Sequence, residues 1–335
     1  MLGLTGPQPQ GMRHDRRMTR SIGARLACGL VASGLIAAGC SGSSPEPPSG
    51  QDGQLNASVA SYDLSMVGPQ RFLVGLTTLD NRLVSFGPIR LAFSFLGEKK
   101  ASGTPRPGPE STARWIPVPG TAISGPRTGP RVTLASQARG VYQAEGLRFD
   151  RAGFWQVVAT ADVQDLGARS GTAAFQVGER PAVSAPGQRA PASKNLTLSS
   201  KGPRAAIDSR ASTGPIPDPE LHRNTVAAAL AAHRPIVVVI STPVYCVSRF
   251  CGPITDTVQG LAKRYGDRAT FIHIEVWHDF QKMEINRAAA DWIYRGGDLQ
   301  EPWVYFVGSD GIIKARWDNV FDPAELEAML QALPG

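Results

Sequence analysis

"PIVVVISTPVYCVSRFCGP" fills residues 235–253, and its reading decides the fold. Residues 236–240 are an unbroken β-branched run, which suits a parallel strand buried on both faces rather than a half-exposed one. Pro253 suits the first turn of a helix, where its missing N–H costs nothing. Beyond it, Ile254, Val258, Leu261, Ala262 and Tyr265 recur on one helical face. With Pro253 as the first helical residue, Gly252 is the N-cap and Cys251 lies just outside. Cys246 and Cys251 are then held in a loop between a buried strand and a helix mouth. A reverse turn through Val247-Ser248-Arg249-Phe250 brings their Cα atoms within the ~4.4–6.8 Å that a disulfide requires. Unpaired amides at the helix start, together with Arg249, favour a thiolate there. Adjacency to the helix points to Cys251 as the more acidic sulfur.

Downstream the pattern alternates. "ATFIHIEV" (269–276) is a second buried strand, and "EINRAAADWIYRGG" (284–297) is a helix ended by Gly296-Gly297. "WVYFV", a Ser309-Asp310-Gly311 turn and "IIKARW" make a hairpin. Asp322 caps a last helix, with Pro323 at its first position and Glu325 two residues on. Upstream, "NTVAAALAAH" (224–233) is helical, with Asn224 as its cap. The order from residue 219 is therefore α-β-α-β-α-β-β-α.

That order, with a cysteine pair between first strand and helix, resembles the thioredoxin fold over residues 219–335. The marks that carry the resemblance are Tyr245-Cys246, Cys251-Gly252-Pro253, and Pro302 just before "WVYFV". The family motif is W-C-x-x-C, and this chain departs from it. Counting from the strand aligns Tyr245-Cys246 with Trp-Cys. Counting from the helix aligns Phe250-Cys251-Gly252-Pro253 with W-C-G-P, and an insertion of five residues reconciles the two. The resemblance implies that Cys246 and Cys251 are the reactive pair and that Pro302, cis in the family, lies against them. Val237 and Val238 stand where many thioredoxins carry a buried acid, and Glu301 would oppose a thiolate if close.

The compartment follows from the N-terminus. Arg13 to Arg25 form a basic region before "LACGLVASGLIAA" (26–38), too short for the ~20 residues of a membrane span but long enough for a signal-peptide core. Ala37-Ala38-Gly39-Cys40, followed by a Ser/Gly/Pro tether, resembles a bacterial lipobox, which implies lipidation of Cys40 after removal of 1–39. An ordinary signal peptide with Cys40 incidental is the other reading. Either way Cys28 is removed, and the exported chain keeps Cys246 and Cys251 in an oxidising space.

Charge narrows the partners. The formal net charge is +7, but residues 1–39 hold five of the 35 basic residues and one of the 28 acids, which leaves +3 for the rest. The remaining charges are interspersed, so nucleic acid is excluded as a partner. After a tether over 40–54, residues 55–178 read as short strands. "PIRLAFSFLG" (88–97) puts Ile89, Leu91, Phe93 and Phe95 on one face. Leu147 and Phe149 precede an Asp150-Arg151-Ala152-Gly153 turn, with Trp155, Val157, Ala159 and Ala161 beyond it. About seven strands fit a β-sandwich, with a long loop over 98–130. The hairpin Gly140–Val163 is similar to YtkA-type immunoglobulin-like modules. Residues 179–218, poor in large apolar groups, read as a disordered linker.

The expectation is thus a multidomain chain, an N-terminal all-β immunoglobulin-like sandwich followed by a C-terminal α/β thioredoxin-like fold. It is anchored in a bilayer through Cys40 at the extracytoplasmic face of the cell membrane. Three uses of Cys246 and Cys251 stay open. They exchange electrons with an envelope protein carrying thiols or a disulfide, without a cofactor. They bind copper, with His278 or His273 completing the site, since soft thiolates suit Cu(I). Or they form a permanent disulfide in a binding module. A peroxidase is disfavoured, because Thr242 lies four residues before Cys246 where that branch has three.

Overall fold

A computed structural model of the chain describes residues 53–101, 104–125 and 127–333. The expected leader, Cys40 and the tether up to residue 52 lie outside the described residues. The first lobe holds nine strands. These are β1 (Asn56–Val59), β2 (Gln70–Thr77), β3 (Leu83–Ser85), β4 (Pro88–Gly97) and β5 (Arg106–Pro117). They continue with β6 (Arg131–Thr133), β7 (Gly140–Leu147), β8 (Gly153–Val163) and β9 (Gly167–Val177). Period-two alternation puts Ile89, Leu91, Phe93 and Phe95 of β4 inside, as the pattern predicts. They meet Phe72, Phe149, Trp155 and Phe175 in a core of largely edge-to-face rings.

The expectation of two stacked sheets is corrected. One antiparallel ladder runs β6-β3-β2-β7-β5-β4-β8-β9, and β1 pairs with β2. Just before β1, the Leu55 amide donates to the Ser170 carbonyl at 2.7 Å and the Ser170 amide to that of Gly53 at 3.0 Å. The chain around β1 thus bridges β2 to β9, and the sheet curls round on itself, leaving fewer free edges. The long loop expected over 98–130 is also corrected, because β5 runs through it. Pro107 fits since β5 pairs with β4 there, while β7 joins only from Arg114 onward. Gly108 is needed for closeness: a Cβ would lie 2.5 Å from the Trp155 ring.

The second lobe begins with helix α1 (Val226–Ala231), strand β10 (Ile236–Ser241), helix α2 (Cys251–Tyr265) and strand β11 (Thr270–Glu275). Next come β12 (Trp277–Asp279), β13 (Glu284–Ile285), α3 (Arg287–Ile293), β14 (Tyr294–Arg295) and β15 (Asp298–Leu299). It closes with β16 (Trp303–Val307), β17 (Ile313–Asp318) and α4 (Pro323–Gln331). The sheet order is β11-β10-β16-β17; β10 and β11 are parallel, while β16 runs antiparallel to both β10 and β17. Ile236, Val238 and Ile240 pack with α1 and α3, and Val237 and Val239 with α2 and α4. Every residue of β10 is buried, which explains the unbroken apolar run.

Local details shift. Thr225, not Asn224, caps α1 by accepting the Ala228 amide at 3.1 Å. Gly296 and Gly297, both at positive φ, turn the β14–β15 hairpin instead of ending a helix. Asp322 does cap α4.

The linker expected over 179–218 is corrected in substance. The Gly187 amide donates to the Ile313 carbonyl, Ile313 returns its amide to Gln188, and Ala190 donates to Gly311, each at 2.9 Å. The segment thereby covers the outer edge of β17. Ala185, Ala206, Ile207 and Ala211 are buried. Small residues suffice because backbone hydrogen bonds, rather than large side chains, hold this stretch in place.

Both lobes belong to one compact unit. The Arg71 guanidinium reaches the Asp318 carboxylate at 2.9 Å and the Val320 carbonyl. Arg316 pairs with Asp63 at 2.8 Å, and Arg114 spans to Asp322 and Glu325. Leu73, Ile116, Val118 and Val141 of the β lobe close over Val320 and Phe250. The residue preceding Cys251 therefore packs into the seam.

Candidate functional site

Strand β10 stops at Ser241, whose hydroxyl meets that of Thr255 on α2 at 2.7 Å. The chain then loops out through Thr242–Phe250 before α2 begins. A turn closes where the Arg249 amide donates to the Cys246 carbonyl at 3.3 Å, with Arg249 at φ +62°. The turn folds Cys246 back over the start of α2. Helix α2 opens at Cys251, two residues earlier than the sequence reading placed it, and Phe250 occupies the cap position with no side-chain cap. The first helical amide thus lacks an intrahelical partner, and it donates to Sγ of Cys246 at 3.4 Å.

Both cysteines are free thiols. Cys246 is half-buried, and Cys251 is fully buried. One ligand atom from each of Cys246, Cys251 and Glu301 lies within 4.8 Å of the others. The two sulfurs are assigned opposite acidities. Hydrogen bonding from the Cys251 thiol, then from the Ser248 hydroxyl and nearby amides, lowers Cys246 to about 5. Ser248 Oγ sits 3.2 Å from that sulfur. Burial, reinforced by the Cys246 thiolate, pushes Cys251 far up. The expectation that Cys251 is the more acidic sulfur is therefore corrected. Its sulfur faces inward from the helix, so its own amide serves its neighbour.

Glu301 precedes Pro302, and the Glu301–Pro302 peptide is cis. Pro302 is buried, and its carbonyl accepts the Asn319 amide at 2.9 Å. Burial first, and then the charges of Cys246 and Glu275, raise the Glu301 carboxyl to about 8. A residue from the β lobe completes the wall. The Tyr62 hydroxyl donates to the Glu301 carbonyl at 2.9 Å, and its ring leans on Trp303. Burial raises the Tyr62 phenol well above its ordinary range.

The candidate residues separate cleanly. Cys246 and Cys251 come to one place with Glu301, the residue before Pro302. His278 does not join them: it stands exposed on β12, with Nδ1 3.4 Å from Glu284. His273 is buried in a different cluster, with Asp208 and His222. The copper set Cys246–Cys251–His278 is therefore corrected, since the third group beside the sulfurs is a carboxylate. Sequence reasoning named Glu301 only as a possible opponent of a thiolate and passed over Ser248 and Tyr62. Its adjacency to Pro302 was the one available signal for Glu301; Tyr62 had none, being 239 residues away in sequence.

Around the half-exposed sulfur the surface is apolar. Val247 is 93% exposed and Val244 54%. Tyr245 stacks on Phe280, with ring centroids 4.1 Å apart. Among the described residues no helix is long and apolar enough to cross a membrane.

The chain matches no known family model and none of the curated proteins with which it was compared.

Proposed function

We propose that the protein is a thiol-disulfide oxidoreductase of the bacterial envelope, built on a thioredoxin-like fold. In this reading it is lipid-anchored through Cys40 on the extracytoplasmic face, and its β lobe buttresses the redox loop. The observation that carries it is the division of labour between an acidic, reachable Cys246 and a buried, high-pKa Cys251 at one helix mouth. The sheet order and the position of Pro302 support the fold assignment.

The chemistry balances without a cofactor. The Cys246 thiolate attacks one sulfur of a partner's disulfide, forming a mixed disulfide and expelling the partner's other sulfur as a thiolate. Glu301, protonated beside the Cys246 charge at neutral pH, gives its proton to that leaving thiolate. Once Cys246 is bonded its charge is gone, and the carboxylate left on Glu301 by that transfer stands beside Cys251. The carboxylate then takes the proton of Cys251 as that sulfur attacks Cys246. The second partner sulfur leaves as a thiolate. The dithiol has become a disulfide, the partner disulfide has become a thiol and a thiolate, and Glu301 again holds one proton. The reverse sequence oxidises a partner dithiol.

Copper carriage is less well supported. A carboxylate is a hard donor and adds little to a Cu(I) site that prefers sulfur or imidazole. The exposed valines beside Cys246 suit a protein surface better than a bare ion.

Equilibration of the full chain with glutathione or dithiothreitol buffers tests the proposal. A thiolate held near pKa 5 stabilises the reduced form. The potential is expected between about −270 mV, thioredoxin's value, and the −120 mV of a strongly oxidising relative with a more acidic thiolate. A value below about −300 mV would mark an inert structural disulfide and sink the reading.

A further inference from the structure

A second constellation lies beneath the redox loop and plays no part in the exchange just described. Asp208, His222 and His273 arrive from three separate stretches of chain. Asp208 precedes a short helical turn in the segment once read as linker, His222 ends another turn, and His273 is central in β11. All three are buried, Asp208 and His222 completely. From these residues we infer a binding site for a first-row divalent metal ion, with zinc as the best match.

Three observations carry this inference. The first is spacing. Asp208 Oδ2 lies 3.4 Å from His222 Nε2 and 3.4 Å from His273 Nδ1. That is long for hydrogen bonds, which centre on about 2.9–3.0 Å. It is the ligand–ligand edge of a tetrahedral ion: bonds of ~2.0–2.1 Å put neighbouring donors about 3.3–3.4 Å apart.

The second is proton placement. His273 Nε2 faces the Ser241 hydroxyl at 3.0 Å and the Ser241 carbonyl at 3.3 Å. A carbonyl only accepts, so Nε2 carries a proton, and Nδ1 is the nitrogen turned toward the carboxylate. What stands between Nδ1 and the carboxylate is either a second proton or a metal ion, and the 3.4 Å spacing matches the ion. Neither nitrogen of His222 has a hydrogen-bond partner, although the ring is wholly buried. Buried polar atoms are seldom left so.

The third is charge. Arg210 meets three aspartates, Asp208, Asp218 and Asp256, and among the described residues is their only arginine partner. Opposite lies Glu275, buried, with one oxygen on the Ser209 amide at 2.8 Å. Asp256 is exposed, but Asp208 and Glu275 are fully buried and Asp218 largely so, a set of acids beside one arginine that a dication would suit. Arg210 also donates to Asp208 at 2.8 Å, the outer-shell bond that orients a ligating carboxylate. Imidazole and carboxylate donors suit zinc, and three protein ligands leave one position for water.

Such an ion would staple residues 204–222 to β11. Ser209, next to Asp208, accepts the Val244 amide with its hydroxyl at 3.2 Å, so the staple sits directly under the cysteine loop. The inference is independent of the redox reading.

The test uses the full chain with Cys28→Ser, Cys40→Ser, Cys246→Ser and Cys251→Ser, so that thiols contribute nothing. After chelator treatment, loading with zinc is expected to give about one equivalent by elemental analysis. Loading with Co(II) should give the visible d–d absorption of a four-coordinate site without sulfur charge transfer. His222→Gln and His273→Gln should each lose the ion at least tenfold more readily, while His278→Ala should retain it. Should the glutamine variants fail to fold, the melting temperature of the chelated parent decides. A rise with zinc but not magnesium supports the site. Less than a tenth of an equivalent on folded protein, or no zinc-specific thermal shift, overturns it.

Discussion

The amide of Cys251 donates to Sγ of Cys246 at 3.4 Å, so the residue that opens helix α2 stabilises its partner's sulfur while its own is walled in. Placed at the positive end of the helix dipole, Cys246 holds the thiolate, and burial keeps Cys251 protonated.

Alkylation kinetics check this directly. Cys246 should react with iodoacetamide at a rate that is flat above neutrality and falls by half near pH 5, following its lowered pKa. Cys246→Ser should remove that reaction, whereas Cys251→Ser should keep it and trap a mixed disulfide with partner. The linkage sign follows: a depressed thiol pKa adds stability to the reduced fold that is full above the unfolded pKa near 8.5 and is lost as pH falls through about 5. Cys246→Ser should flatten that part of the pH–stability curve, read by denaturant titration.

Glu301 should matter to the second step more than to the first sulfur's acidity. Glu301→Gln is expected to slow release from the mixed disulfide by roughly 10²-fold or more, the usual range for a positioned proton carrier. The limb near pH 8 in the exchange rate should vanish with it, while the alkylation midpoint of Cys246 shifts little. Unchanged release in stopped-flow measurements would remove Glu301 from the proton path.

At the seam between the lobes, Arg71 is almost wholly buried against Asp318, their side chains 13% and 10% exposed. Arg71→Ala leaves a carboxylate without its partner, a change that costs about 3–5 kcal/mol when a buried pair is broken. Urea unfolding should show that loss. Because Phe250 packs in the same seam, thiol reactivity at Cys251 should rise in the variant.

Hydrogen exchange tests the packed segment 179–218. The amides of Gly187, Ala190 and Ile313 are expected to exchange as slowly as those of β16, since each is paired across the β17 edge. Fast exchange at 187 and 190 would return the segment to the role of a linker.

Much of the second lobe was legible because its signals are local. A β-branched run buried on both faces, a helical face from Ile254 to Tyr265 and a capped helix at Asp322 each declare themselves within a dozen residues. The inward face of β4 was equally plain. Segment 179–218 misled because its burial rests on backbone pairing with β17 and on small side chains, which composition does not register. The curling of the first sheet was hidden for a similar reason, since its closure depends on a few bonds at Gly53 and Leu55 to a strand more than a hundred residues away.

The primary structure alone determined that two cysteines sit between a buried strand and a helix, with a proline before a later strand. Only the tertiary structure decided which sulfur is acidic, that Glu301 rather than His278 accompanies them, and that Asp208, His222 and His273 converge. Acidity and ligation depend on distance and burial, and those are set by how remote segments pack, not by their neighbours in the chain.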